Sequence, residues 1–359
     1  MTAPIALVAT ALIACGGGGG GSAGGSADSA KPASSGSAVD LTGAGATFPY
    51  PIYSKWFADY ARETSVKINY QSIGSGGGIP QLTEHTVDFG ASDAPMSDDE
   101  LSKAKGPVMH FPTVIGAVAV TYNLPSVQAP LRLTGDVLAD LFLGHITKWN
   151  DSRIKAVNPG VALPATDVLV VHRAEASGTT YIFSDYLSAV SSDWAKAPGK
   201  GKELSWPVGM GAKGNEGVAG QVKQTPGALA YVELAYAKQN NLPTAQIKNA
   251  SGAFVAPSIE SATAAAAGVA DKLPDNTDYR ISIVNAPGAG AYPIASFTWL
   301  LVYRNQSDAT KARKLKAFLH WYLHSGEGTA ASLDYAPLPD AMKTRLDARV
   351  DSVTVGGTA

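Results

Sequence analysis

Val168-Leu169-Val170-Val171-His172-Arg173-Ala174-Glu175-Ala176-Ser177-Gly178-Thr179 carries three signals in succession. The β-branched run to Val171 reads as a buried strand that ends at Arg173. A short loop of small and charged residues follows. Ser177 then opens a helix to Ala189 with Tyr181, Phe183 and Tyr186 along it. Strand, small-residue loop and helix in that order form the repeating unit of an open α/β sheet. In such sheets ligands bind beyond the carboxyl ends of the strands, against helix N-termini.

The same order recurs on both sides of this stretch. Pro51 to Glu63 sets Tyr53, Trp56, Phe57 and Tyr60 at helical spacing, which makes them core rather than a sugar-stacking platform, and Val66 to Tyr70 reads as a strand. Ser75 opens a short helix to Glu84 that leads into Val87-Asp88-Phe89. Pro112 to Tyr122, Ala228 to Val232 and Phe297 to Tyr303 read as buried strands. Thr134 to Leu143, Asn215 to Gln224 and Ser307 to His324 read as helices, the last ended by Gly326. Trp149 and Trp206 are assigned to the core. The expected fold class is α/β with two lobes, each an open mixed sheet flanked by helices. The first lobe is assigned to residues 40–115 plus 285–359 and the second to 116–284, so the chain crosses between them twice.

Composition bounds the function. The chain has 359 residues, of which 45% are hydrophobic, enough to bury more than one core. A formal net charge of −2 and the absence of long Lys or Arg runs exclude the broad positive field of a nucleic-acid binder. After the N-terminus no apolar stretch approaches the ~20 residues of a membrane span. Residues Ile5 to Ala14 form a short apolar segment ending Leu12-Ile13-Ala14-Cys15, although no Lys or Arg precedes it. That ending resembles a bacterial lipoprotein signal, so residues 1–15 are read as an export signal with Cys15 as the lipidated residue. Residues 16–39 are nearly all Gly, Ser and Ala, a flexible tether spanning about 25–30 Å. Cys15 is the lone cysteine, so no internal disulfide can form.

Three segments have the strand, loop and helix form: Gly43-Ala44-Gly45-Ala46-Thr47-Phe48, Gly74-Ser75-Gly76-Gly77-Gly78, and Arg173 to Thr179. Each offers glycines or small residues that let a backbone approach, a hydroxyl donor, and N–H groups at the positive end of a helix. Neither glycine loop binds a nucleotide by a known pattern. The second lacks the Gly-Lys-Ser/Thr ending of a P-loop and the first lacks the third glycine of a dinucleotide fingerprint. The expected ligand is a small free anion. Asp93, in Val87-Asp88-Phe89-Gly90-Ala91-Ser92-Asp93-Ala94-Pro95, is a carboxylate among these anion-receiving segments. It repels such a ligand unless the ligand carries a proton it can accept.

These residues are similar to the phosphate-binding proteins of bacterial ABC-type phosphate uptake, which are type II periplasmic binding proteins. The resemblance runs through Thr42 to Pro51, Asn69 to Gly77, Thr86 to Ser97, Phe111 to Gly116, Arg173 to Thr179, Trp206 to Ala219, Pro226 to Asn241 and Leu333 to Asp340. It implies a monomeric two-lobed receptor that closes on one inorganic phosphate and hands it to an inner-membrane ABC permease. No cofactor is implied. It further implies that Thr47 binds by hydroxyl and N–H, Phe48 by N–H, and Ser75 by hydroxyl. Asp93 accepts a proton that phosphate carries and sulfate lacks, Arg173 is the charged donor, and Ser177, Gly178 and Thr179 give helix N-terminal contacts. Glu175 stands where the resemblance leads one to expect an Asp beside the arginine, and Gly76 where a second Ser can occur. An exported, periplasmic location follows, with a membrane anchor at Cys15.

The competing classes are a secreted phosphohydrolase and a receptor for another tetrahedral oxyanion. Residues 175–179 read Glu-Ala-Ser-Gly-Thr, without the Gly-x-Ser-x-Gly of a nucleophile elbow. His172 neighbours Arg173 but points to the opposite face of a strand. His320 and His324 are four apart, without the adjacent Glu of a zinc protease or an evident third ligand, and are read as histidines favoured by a helix C-terminus. No metal is expected.

Overall fold

The computed structural model describes residues 41–269 and 277–356. The export signal read over residues 1–15, its Cys15, and the linker read over 16–39 lie outside the described residues. The principal sheet has eight strands: β1 Leu41–Gly45, β2 Ile68–Ser72, β3 Phe89–Ser92, β4 Val108–Tyr122, β5 Leu169–Arg173, β6 Met210–Ala212, β7 Ala228–Glu233 and β8 Ala295–Tyr303. Their order is β2-β1-β3-β8-β4-β7-β5-β6. β1 runs parallel to β2 and β3, and β5 parallel to β6 and β7, because a helix returns the chain between successive strands in each set. β8 is antiparallel to β3 and β4, and β4 to β7, so the sheet is mixed.

β4 belongs to both ends of the sheet. Its residues Val108 to Ala117 pair with β8, while Val118 to Tyr122 pair with β7. At the change of partner the Val118 N–H donates to the Ile294 carbonyl, immediately before β8. One half of the sheet is therefore β1, β2, β3, β8 and the first part of β4. The other is the rest of β4 with β5, β6 and β7. The apolar, Val- and Thr-rich run places the start of β4 at Pro112. The strand instead begins at Val108, and the register shifts between Thr298 and Trp299, so that Trp299 opposes Pro112 and Thr298 opposes Val114. Such a bulge accommodates a proline inside a sheet and re-aims neighbouring side chains.

Other boundaries fall close to their sequence positions. The helix over Gly178–Val190 has Ser177 as N-cap, accepting from the Thr180 N–H. The helix over Ala309–His324 starts one residue beyond Asp308, which caps it by accepting from the Thr310 and Lys311 N–H groups. β2 begins at Ile68 rather than Val66, and the polar helix Asp340–Asp351 was not anticipated. The aromatic set is core: Trp56 stacks on Tyr322 and Phe57 meets Phe318, each at 5.5 Å between ring centres. Trp149 is fully buried and Trp206 partly, stacked on His172 at 4.6 Å. Among the described residues no helix is long and apolar enough to cross a membrane.

Candidate functional site

The three loops meet where the two halves of the sheet face each other. In the first, Gly45 adopts φ +145, and a Cβ there would lie 2.0 Å from the Ala91 carbonyl oxygen, so only glycine lets β1 turn this close to β3. The chain then passes Thr47 and Phe48 into the helix Tyr50–Thr64, whose N-cap, Pro49, offers no side-chain acceptor. The Tyr236 hydroxyl donates to the Thr47 carbonyl and the Tyr335 hydroxyl to the Phe48 carbonyl, each at 2.6 Å. In a trans peptide the N–H points opposite the C=O, so anchoring the Thr47 carbonyl aims the Phe48 N–H the other way.

Ser75 begins the helix Ser75–Thr83 directly after Gly74, whose φ of 88 is again a glycine conformation. Its hydroxyl accepts from the Asp93 N–H at 3.2 Å and keeps its own hydrogen to donate. Asp93 follows β3 and is almost fully buried. Its Oδ1 accepts from the Thr298 hydroxyl at 2.8 Å, a contact made at the β8 bulge. Burial pushes the Asp93 carboxyl up to about 7, against the opposing pull of the Thr298 hydrogen bond and the Arg173 charge. The group is thus poised between the two charge states near neutrality.

From the other half, Arg173 ends β5 with its side chain 1% exposed. Its Nε donates to Glu175 Oε1 at 3.0 Å, Nη2 contacts the same oxygen, and Nη1 lies 3.3 Å from the Thr179 hydroxyl. Glu175 Oε1 also accepts from the Gly214 N–H at 3.0 Å, while Oε2 is buried without a partner among the described residues. The longer Glu side chain therefore holds the guanidinium through one oxygen and leaves Nη1 directed at the cluster. Ser177 is the most committed of the expected donors. Its N–H goes to the Lys202 carbonyl at 2.8 Å and its oxygen accepts from Thr180, leaving only its hydroxyl hydrogen. Gly178 and Thr179, in the first turn of their helix, have N–H groups with no intrahelical acceptor.

The halves touch through these residues. A Cβ on Gly178 would lie 2.5 Å from both Asp93 Oδ2 and Ser75 Oγ. The Gly76 N–H donates to the Ala176 carbonyl at 3.0 Å. Thr47, Phe48, Ser75, Asp93, Arg173, Ser177, Gly178 and Thr179 are all buried and gathered at one place. Two further residues join them. Asn215, fully buried at the start of the helix Gly214–Gln224, donates to the Thr47 hydroxyl at 2.8 Å and the Thr179 hydroxyl at 3.1 Å, bridging the halves. Thr298 orients Asp93. β6, the loop and the Asn215 helix repeat the strand–loop–helix order, a signal beyond the three segments read from the sequence; Thr298 is marked only by a hydroxyl in an apolar strand. His172 turns away from the cluster, as strand alternation requires. The arrangement is a buried cluster of neutral donors with one paired guanidinium and one carboxylate.

Known proteins resemble this chain over most of its length. A family model described as the PBP superfamily domain matches residues 30–326. The phosphate-binding protein PstS of Xylella fastidiosa is 46% identical over 312 residues, covering 87% of this chain and 85% of the relative. PstS of Pasteurella multocida is 42% identical over 313 residues, covering 87% and 90%. Among solved structures, a high affinity periplasmic phosphate-binding protein bound with phosphate superposes with a TM-score of 0.68 at 23% identity, covering 86% of this chain and 93% of that one. The last likeness supports the type II periplasmic-binding fold, and the first two extend over most of both sequences. This chain belongs to the PstS family of phosphate-binding proteins.

Proposed function

We propose that the chain captures one inorganic phosphate between two lobes and delivers it to an ABC-type permease for uptake. The lobes follow the two halves of the sheet with their helices, residues 40–115 plus 285–359 and residues 116–284, with hinges near these boundaries: β4 changes partner between Ala117 and Val118, and the chain returns at Ile294. The N–H groups of Thr47, Phe48, Gly178 and Thr179 and the hydroxyls of Thr47, Ser75, Ser177 and Thr179 hold the ion's oxygens. Arg173 supplies the charge-assisted bond, on the order of 1.5–3 kcal/mol net. Asp93 accepts the phosphate proton. The observation that carries this reading is the meeting of Asp93, Ser75 and Gly178 at one point, which puts a carboxylate inside an anion cradle. Such a group favours a protonated oxyanion and is left unpaired by sulfate.

Capture rather than turnover is supported by the names of the relatives, which are phosphate-binding proteins. Export, anchoring through a lipid on Cys15, and a monomeric state complete the proposal. Equilibrium dialysis with labelled phosphate, beside a phosphomonoester turnover assay, tests it. Saturable one-to-one binding without product is the expected result. Turnover would establish a hydrolase instead, and equal competition by sulfate would establish a general oxyanion receptor.

A further inference from the structure

Two helices carry a cluster that the anion site does not use. The helix Ala309–His324 presents His320 and His324 one turn apart on a single face. The helix Asp340–Asp351 packs beside it with Asp347 and Asp351, again one turn apart, turned toward those imidazoles. Asp347 lies between the two rings: its carboxylate is 2.9 Å from His320 Nδ1 and 3.0 Å from His324 Nε2. One donor atom from each of these three residues falls within 4.8 Å of the other two. On its other edge, His320 Nε2 is 3.2 Å from Asp351 Oδ1. The sequence shows only the histidine pair; the fold supplies the third group from the last helix.

Both nitrogens of His320 therefore face carboxylate oxygens. A neutral imidazole has a single N–H, so in the neutral ring one contact sets a lone pair against an anion, an arrangement that a bound cation relieves. Two imidazole nitrogens and a carboxylate suit zinc and its first-row neighbours, whereas calcium and magnesium take oxygen ligands almost entirely. Bonds of about 2.0–2.2 Å in a tetrahedral shell put ligand atoms roughly 3.3 Å apart. Contacts of 2.9 and 3.0 Å are near that spacing, and all three donor atoms lie within 4.8 Å of one another. His324 is 63% exposed and leaves an open path from solvent.

We propose that His320 Nδ1, His324 Nε2 and the Asp347 carboxylate form a surface site for a zinc-like divalent ion that joins the two helices, with water completing the shell. Asp351 then receives the His320 Nε2–H and fixes the tautomer that exposes Nδ1 to the metal, the usual outer partner of a ligating histidine. Calorimetric titration of the full chain with Zn2+ in phosphate-free buffer, with Co2+ as an optical probe, tests this. The expected result is one saturable equivalent, a raised Tm, and a visible Co2+ band. His320→Gln with His324→Gln should lower affinity more than about 100-fold, and Asp351→Asn about 10–100-fold. Labelled-phosphate binding, unchanged in both variants, reports that they are folded. Absence of saturable binding in the native chain, or affinity undiminished in the double histidine variant, would overturn the site.

Discussion

The two halves of the sheet bring opposite chemistry to the same cradle. The first contributes Thr47, Phe48 and Ser75, all uncharged donors, around the carboxylate of Asp93. The second contributes the Arg173 guanidinium and the N-terminus of the helix Gly178–Val190, both attractive to any anion. Under the proposed function, the formal positive charge thus resides on one side and the carboxylate that discriminates on the other, with helix N-termini on both. In the proposed capture, both act on one ion because Gly178 meets Asp93 and Ser75. This division explains why the site tolerates so little counter-charge: Glu175 already offsets Arg173, so fixed dipoles must hold the ligand.

The sharpest way to break the comparison is to disarm the discriminating side. Asp93→Asn replaces the acceptor by a group that can donate, and the preference for phosphate over sulfate should collapse by on the order of 10⁴-fold. Paired competition titrations above neutral pH measure it; an unchanged ratio would remove Asp93 from its role. Because burial puts the native carboxyl near 7, sulfate affinity should fall as pH rises through that value in the native chain and stay flat in the variant. The same shift has a stability sign. Between the ordinary carboxyl value near 4 and about 7, the folded ligand-free protein keeps a proton that the unfolded chain has released, so stability falls as pH rises across that window. Asp93→Asn should therefore raise the Tm of the ligand-free protein at pH 8, where the native group is charged and buried.

Disarming the attracting side should act on all anions alike. Arg173→Lys keeps the charge but loses the fork that engages Glu175 through Nε and Nη2 while directing Nη1 to Thr179. Phosphate and sulfate affinities should fall together, by about 100-fold, leaving their ratio intact. A variant in which the ratio also fell would show that Arg173 takes part in selecting the ion.

Local sequence signals specify some of these features and not others. The parallel strand–loop–helix units could be read because an apolar β-branched run, a small-residue corner and a capping hydroxyl follow one another locally. Arg173, Ser177 and Thr47 come from such corners. The length of β4 could not be read, because Pro112 is compatible with a strand only through the shifted register against Thr298 and Trp299, nearly two hundred residues away in sequence. Thr298 escaped for the same reason: its role is created by that bulge. The helix Asp340–Asp351 shows only Met342, Leu346 and Val350 as buried positions, a thin stripe in a charged segment. Asn215 opens a helix after a three-residue strand too short to read, and its bridge between Thr47 and Thr179 exists only where the halves meet.

That meeting can itself be broken with little disturbance elsewhere. Gly178→Ala adds a methyl 2.5 Å from Asp93 Oδ2 and Ser75 Oγ, so the halves cannot approach as they do now. Within the helix, alanine in place of glycine favours folding by about 0.5–1 kcal/mol. Phosphate affinity should thus fall by roughly 10–100-fold, about 1.4–2.7 kcal/mol, while the ligand-free Tm holds or rises. A loss of Tm in step with affinity would mean that the contact belongs to the ligand-free fold rather than to capture.

The smallest effect belongs to a pair that spans the same cleft away from the ligand. Glu100 Oε1 contacts Lys202 across the halves, while Glu100 Oε2 accepts from the Ser97 N–H in a capping box that starts the helix Asp98–Lys103. Glutamine serves such a box as well as glutamate does. Glu100→Gln therefore removes the charge of the cross-cleft pair without uncapping the helix. Both side chains retain about a fifth to a quarter of their exposure, so the pair is solvent-screened and contributes about 0.2–1 kcal/mol. Phosphate affinity should drop by at most about fivefold, through faster release, and the difference should fade at high ionic strength. A loss beyond tenfold that persists in salt would mean that closure depends on this latch as much as on the ligand, and the division of labour between Asp93 and Arg173 would then account for only part of the binding.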